Sequence, residues 1–237
     1  MSEVSTQTVT LVTGANKGLG FETARRLKAH GHKVYIGARD KHRGQTAADE
    51  LGVAFVQLDV TDEASVAKAA AELERLEGRL DVLVNNVGIP GPHRNAEDLT
   101  ADDTTEVFDT NVVSAVRVTH AFLPLLERSD SPAIVNVTSG LGSFAVTQDP
   151  SRIEFRMGMP LYSASKAALT MLTTEYAKLL PHIRVNAADP GYTATDFNGN
   201  SGPQTVTEGT DAIVRLATLD ADGPTGTYID RYGTVAW

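Results

Sequence analysis

The stretch Val9-Thr10-Leu11-Val12-Thr13-Gly14-Ala15-Asn16-Lys17-Gly18-Leu19-Gly20 decides the fold. It opens on a short apolar burst, Val9 to Val12, of the kind that forms a buried strand. Three glycines follow at once, and an amphipathic stretch continues through Leu27. A strand, a glycine-spaced turn and a helix, in that order, form a cradle for a dinucleotide pyrophosphate. Glycine lets the backbone approach phosphate with no Cβ in the way. The start of the helix adds free N–H groups and the positive end of its dipole.

The same alternation continues along the chain. Further bursts lie at Lys33 to Ile36, Ala54 to Leu58, Val82 to Val84, Ala133 to Val137, Ile183 to Ala187 and Thr227 to Ile229. Helical patterns separate them at Thr46 to Leu51, Glu63 to Leu76, Thr104 to Leu126, Leu161 to Leu180 and Thr207 to Leu219. Short apolar strands alternating with helices imply parallel βαβ units with both sheet faces covered. The expectation is one α/β domain over 1–237, a Rossmann-type doubly wound sheet of about seven strands with helices on both faces.

Composition excludes several functions. A net charge of −9 lacks the basic face of a nucleic-acid binder. With no cysteine, disulfides, thiolate zinc sites and cysteine nucleophiles are ruled out. His30, His32, His42, His93, His120 and His182 are scattered without metal-ligand spacing and read as surface or packing residues, so no metal site is expected. No apolar run is long enough to span a bilayer, and the start through Thr8 is polar, without the pattern of a signal peptide. These features lead us to expect a cytoplasmic protein with a short frayed start.

A second motif carries chemistry. Tyr162-Ser163-Ala164-Ser165-Lys166 sets a phenol and an ammonium four apart, on one helix face. A neighbouring ammonium favours the phenolate and pulls the phenol down from about 10 toward working pH. That makes Tyr162 a usable general acid. Ser139 ends the fifth burst, where a hydroxyl donor is available to a substrate oxygen. Taken alone, a Tyr-x-x-x-Lys pair is commonplace and Ser139 is a turn serine; the glycine loop gives them meaning.

The spacing Gly14-x-x-x-Gly18-x-Gly20, with Thr13 before it, resembles the short-chain dehydrogenase/reductase family, and carbonyl reductases within it. The resemblance runs through nearly the whole chain. Asp59-Val60 resembles the family's adenine-binding pair, and Asn85-Asn86-Val87-Gly88 its Asn-Asn-Ala-Gly element, with Val87 in place of alanine. Pro190-Gly191, with Thr193 and Thr195 beyond it, is similar to the element that holds the nicotinamide carboxamide. The resemblance implies catalytic roles for Asn111, Ser139, Tyr162 and Lys166. Tyr162 would exchange the proton, Lys166 would tune it and hold the nicotinamide ribose, and Asn111 would hold a water of a proton relay. It also implies cofactor contacts from Gly14, Asn16, Lys17, Gly18, Leu19, Gly20, Asn85 and Gly88. Hydride would move between nicotinamide and a small-molecule carbonyl or alcohol.

Charge points to the cofactor. At the end of the second burst, Ala38 leaves room and Arg39 is placed to grip a 2′-phosphate, with Lys17 as a second cation. NADP(H) is therefore expected over NAD(H). Asp40 is a contrary sign, set to orient Arg39 or to face water.

From Ser139 to Tyr162 is 23 positions, so roughly ten residues look inserted compared with the family's common gap. The segment at about 142–160 reads as a pocket loop, and that at about 193–210 as a lid. Phe144, Phe155, Met157, Met159, Tyr192 and Phe197 point to an apolar or aromatic substrate, or pack on one another. Homodimer, homotetramer and monomer all stay open. So do two other activities, a non-catalytic NADP-binding sensor and a different nicotinamide reaction such as dehydration or epimerisation. Asp189, before Pro190, contacts the cofactor or points to solvent.

Overall fold

The computed structural model describes residues 7–237; the start of the expected frayed segment, 1–6, lies outside the described residues. Strand β1 (Val9–Thr13) leads through the glycine turn into helix α1 (Gly18–Ala29). There follow β2 (Lys33–Ala38), α2 (Lys41–Leu51), β3 (Ala54–Gln57), α3 (Glu63–Glu77) and β4 (Val82–Asn85). Next come α4 (Ala101–Phe108), α5 (Ser114–Leu126), β5 (Ala133–Val137), α6 (Phe144–Thr147), α7 (Pro160–Leu179) and β6 (Arg184–Ala188). The chain closes with α8 (Val206–Gly209), α9 (Asp211–Ala217), β7 (Tyr228–Asp230) and β8 (Gly233–Thr234).

The sheet order is β3-β2-β1-β4-β5-β6-β7-β8. All pairings are parallel except β7 with β8. The eighth strand is the difference from the expected seven. It is two residues long, set by Asp230, whose carboxylate accepts from the Tyr232 and Gly233 amides at the turn.

Alternation along each strand feeds two cores. Val12, Ile36, Val84 and Val135 face Ala24 and Leu27 of α1 and Ile213 of α9. Leu11, Leu83, Ile134 and Val185 face Val66 and Leu73 of α3 and Phe122 and Leu126 of α5. Strands buried on both faces must be apolar throughout, which is why they read as unbroken bursts.

Three helices differ from the sequence pattern. Helix α2 starts five residues earlier than expected, because the Asp40 carboxylate caps it by accepting from Arg43 N at 2.9 Å. The long central helix is broken by one π turn at Asp109–Val113, between α4 and α5. The last helix is two, α8 and α9, meeting at Thr210. The order of strands reverses beside β1, whose neighbours are β2 and β4, so a crevice opens beyond its carboxyl end.

Candidate active site

A cleft of about 830 Å³ lies at that crevice. Its floor at one end is the glycine turn, with Gly14, Lys17, Gly18, Leu19 and Gly20 along it. Gly14 takes φ +62°, the left-handed region. A Cβ at Gly20 would stand 2.6 Å from the Gly14 carbonyl oxygen, so the turn closes only on glycine. Helix α1 begins with no side-chain cap on its amides and no acidic residue in its first turn. Free donors and an uncompensated positive dipole end fit a phosphate. The residues present therefore suit a dinucleotide.

Lys17 is held in an exposed ion pair. Its Nζ lies 3.0 Å from Asp196 Oδ2, in the segment expected to be a lid. Arg39 is exposed beyond the cleft, and among the described residues it forms no ion pair. Asp40 faces water, as one of its readings has it, and also caps α2.

The opposite end gathers Ser139, Tyr162 and Lys166, with Pro190, Gly191, Thr193 and Thr195 beside them. Ser139 Oγ accepts from Leu141 N at 3.2 Å, opening a short turn at Gly140–Gly142, and its carbonyl accepts from Tyr228 OH at 2.6 Å. Tyr162 and Lys166 sit on the first turns of α7, both buried. Lys166 Nζ donates to the Val137 carbonyl at 2.8 Å and lies 5.7 Å from the Tyr162 ring centre. Residues beyond Thr195 cover this end, with the Phe197 ring centred 5.5 Å from that of Tyr162.

Burial reverses the expected tuning of Tyr162. Desolvation pushes its phenol above the ordinary range; a hydrogen bond with Ser139 opposes this and the Asp189 charge adds to it. Desolvation also lowers Lys166 to about 8. The same low-polarity surroundings disfavour phenolate and ammonium alike, so the phenol stays protonated.

Asn111 stands one layer behind. Its Oδ1 accepts from Ile89 N at 2.8 Å, while its Nδ2 donates to the Ile89 carbonyl and to Ser165 Oγ, each at 2.9 Å. A Cβ at Gly88 would lie 3.2 Å from Lys166 Nζ and 3.4 Å from Asn111 Oδ1, so these three residues meet. The side chain of Asn111 is thus committed to protein partners, and the π turn around it is the local departure that places it there.

Other expected residues stand apart from the cleft. Asn85 donates to Asn136 Oδ1 at 2.9 Å inside the sheet, and its neighbour Asn86 faces the cleft instead, tied to the Thr13 carbonyl at 2.9 Å. Val60 packs in the α3–α5 core, and Asp59 is turned to Thr61. Asn16 is half-buried without lining the cleft. Of the apolar side chains, Met157, Met159, Tyr192 and Phe197 line the cleft; Phe144 and Phe155 line an adjoining groove on the outer side of α7. Trp237 packs against Tyr228, with ring centres 5.6 Å apart.

Two lining residues were not foreseen. Glu154 is buried at the cleft wall, paired with Arg152 at 3.3 Å, and its one signal in the sequence is a lone acid between Ile153 and Phe155. His93 is exposed, as its surface reading expects, and stands at the rim of the cleft. Among the described residues no cluster of side chains is placed to hold a metal, and no helix is long and apolar enough to cross a membrane.

Comparison with known proteins agrees with this geometry. The short chain dehydrogenase family profile matches residues 8–205. The chain is 31% identical to a (+)-neomenthol dehydrogenase of Capsicum annuum, with 98% of each chain covered. It is 33% identical to a (-)-isopiperitenone reductase of Mentha piperita, with 98% of each chain covered. Among solved structures, the NADPH-bound carbonyl reductase from chicken fatty liver superposes with a TM-score of 0.85 at 31% identity, covering 98% of this chain and 99% of that one. This chain belongs to the short-chain dehydrogenase/reductase family of oxidoreductases, on its carbonyl reductase-like side.

Proposed function

We propose that this chain is an NADP(H)-dependent carbonyl reductase in which Tyr162 is the general acid for reduction and the general base for oxidation. The observation that carries this reading is the sharing of one cleft by the glycine turn and by Ser139, Tyr162 and Lys166. A dinucleotide bound along that cleft supplies the hydride. The glycine-turn amides and α1 hold its phosphates, Lys17 and Arg39 take the 2′-phosphate, and Pro190–Thr195 hold its nicotinamide end.

The chain's own part is proton handling and positioning. Ser139 Oγ accepts a backbone N–H, and its O–H, which faces the Tyr162 phenol, turns to donate to the substrate oxygen. The protonated Tyr162 phenol gives its proton to that same oxygen as negative charge develops there. Lys166, held on the Val137 carbonyl, stabilises the phenolate left behind. Asn111 fixes the Ile89 backbone and Ser165 around this pair.

The substrate is a small carbonyl or alcohol compound with an apolar body. Met157, Met159, Tyr192 and Phe197 supply the apolar wall, and the names of the relatives, a neomenthol dehydrogenase and an isopiperitenone reductase, support that class. The inserted segment and the lid shape the pocket in this reading.

The test is NADPH oxidation over a panel of aldehydes, ketones and quinones, with wild type beside Tyr162→Phe. Wild type should turn over. The variant should lose about 100-fold to 10,000-fold in kcat while still binding NADPH, the range a positioned general acid provides. Turnover kept by Tyr162→Phe contradicts the assignment.

A further inference from the structure

Asp189 follows β6, directly before Pro190, and is 3% exposed. Its backbone is fixed, with Asp189 N donating to the Ile229 carbonyl at 2.8 Å. Its Oδ1 accepts from Gly191 N at 2.8 Å, inside the Pro190–Gly191 turn. On the other side the carboxylate faces the Ser139 turn. A Cβ at Gly140 would lie 3.0 Å from Asp189 Oδ2 and 2.9 Å from Glu154 Oε1, so both carboxylates press close on that glycine. The Asp189 carboxylate also lies close against Gly140, whose amide helps hold it ionised. One buried carboxylate thus joins two turns that the chain separates by some fifty residues.

We propose that the ionised carboxylate of Asp189 is a positioning group that locks the Ser139 turn to the Pro190–Gly191 turn, and so sets the acid limit of turnover. The proposal rests on the catalytic reading given above, and concerns how that site is held. A carboxylate has two acceptor oxygens and can serve both backbone N–H groups at once. A protonated carboxyl must offer a hydroxyl to one of them, which breaks the bridge. Burial raises Asp189 to about 6, with the Gly191 and Gly140 amides opposing and the charges of Glu154 and Asp230 adding to the rise. The groups facing it are Glu154 from the inserted segment, with Arg152 beyond, Tyr228 and Asp230 from β7, and Tyr162 from α7.

The sign separates positioning from stability. A carboxylate raised by folding contributes stability that is present below its unfolded value and lost as pH rises through about 6. Holding Asp189 ionised at pH 8 therefore works against folding, as groups kept for function often do. A side chain there merely for structure would do the opposite.

The experiment compares wild type with Asp189→Asn, which keeps the shape but has one acceptor. At pH 8 the variant should lose at least tenfold in kcat, bind NADPH as before, and melt at the same or a higher Tm. Wild-type kcat should fall as pH drops through about 6, and the variant's low kcat should be flat across that range. His93→Gln removes the histidine of the same cleft and should keep the acid limb. In cofactor-free protein, the Gly140 and Gly191 amides should exchange hydrogen at least tenfold faster in the variant. That readout stands even if Tyr162→Phe retains turnover and the catalytic reading fails. Loss of Tm and kcat together with the acid limb unmoved, or unchanged exchange at both amides, overturns the proposal. Should Asp189→Asn not fold, a wild-type profile flat from pH 8 to about pH 5 overturns it as well.

Discussion

Lys166 and Tyr162 share a helix face, yet the ammonium of Lys166 turns to the Val137 carbonyl at 2.8 Å and stays 5.7 Å from the centre of the phenol ring. The two side chains are neighbours in a dry site, without a direct hydrogen bond. This arrangement suits proton donation. The phenol is held protonated by burial, and the ammonium stands by to stabilise the anion once the proton has left.

A pH dependence follows from that pair. Lys166 is lowered to about 8 by burial, so it is charged below that pH and neutral above it. Tyr162 is raised and stays protonated through the same range. Carbonyl reduction should therefore fall as pH rises through about 8, with Lys166 rather than Tyr162 as the titrating group. Stability has the opposite slope to a raised lysine: a lowered Lys favours the unfolded state below the folded value, and the cost is relieved at alkaline pH. The check is kcat/KM against pH for wild type and Lys166→Met. The alkaline fall should vanish in the variant, whose rate is low throughout.

Cofactor preference is a matter of two cations. Arg39 is exposed and without an ion pair among the described residues, whereas Lys17 is paired with Asp196 at 3.0 Å. Charge-assisted hydrogen bonds to phosphate contribute about 1.5–3 kcal/mol. Arg39→Asp should weaken NADPH binding roughly tenfold to a hundredfold and leave NADH binding nearly unchanged. Asp196→Asn releases Lys17 from an exposed ion pair of about 0–1 kcal/mol, and should tighten NADPH by no more than a few-fold. Titration of both cofactors by fluorescence checks each variant. An unchanged preference in Arg39→Asp removes Arg39 from the assignment.

The glycine turn gives a steric prediction. A methyl at position 20 would meet the Gly14 carbonyl oxygen at 2.6 Å and Ala15 Cα at 2.8 Å, both backbone. Neither atom can swing aside as a side-chain tip would. Gly20→Ala should lower stability by about 1–3 kcal/mol, the usual range for overpacking, and cofactor affinity with it. Thermal melting with and without NADPH measures both. A methyl at Gly18 would meet only Thr195, no nearer than 3.9 Å, but φ +57° there strains any side chain.

The sheet was legible because its physics is local. Strands covered on both faces must be apolar, so β1, β2, β4, β5 and β6 stand out as bursts, and the glycine turn marks where the first ends. β8 did not stand out, since two residues carry no pattern and the strand depends on Asp230 accepting two amides. Of the candidate site, Tyr162 and Lys166 stand out by their spacing and Ser139 by its place after the fifth burst and by the family resemblance, and the fold brings them together. What spacing cannot convey is burial. The phenol's rise, the lysine's fall and the turning of Asn85 into the sheet all depend on which groups lose water, a property of packed neighbours far along the chain. Asp189 is the clearest case. Its sequence allowed a cofactor contact or a solvent-facing side chain, and the structure buries it between two turns.

The most direct test is a crystal structure with NADP and an unreactive carbonyl analogue bound. The Tyr162 hydroxyl should hydrogen-bond the analogue's oxygen, beside Ser139 Oγ, with the carbonyl carbon facing nicotinamide C4 at about 3–3.5 Å. A phenol pointed away from that oxygen, or a nicotinamide lodged elsewhere than the Ser139 end of the cleft, contradicts the role of Tyr162.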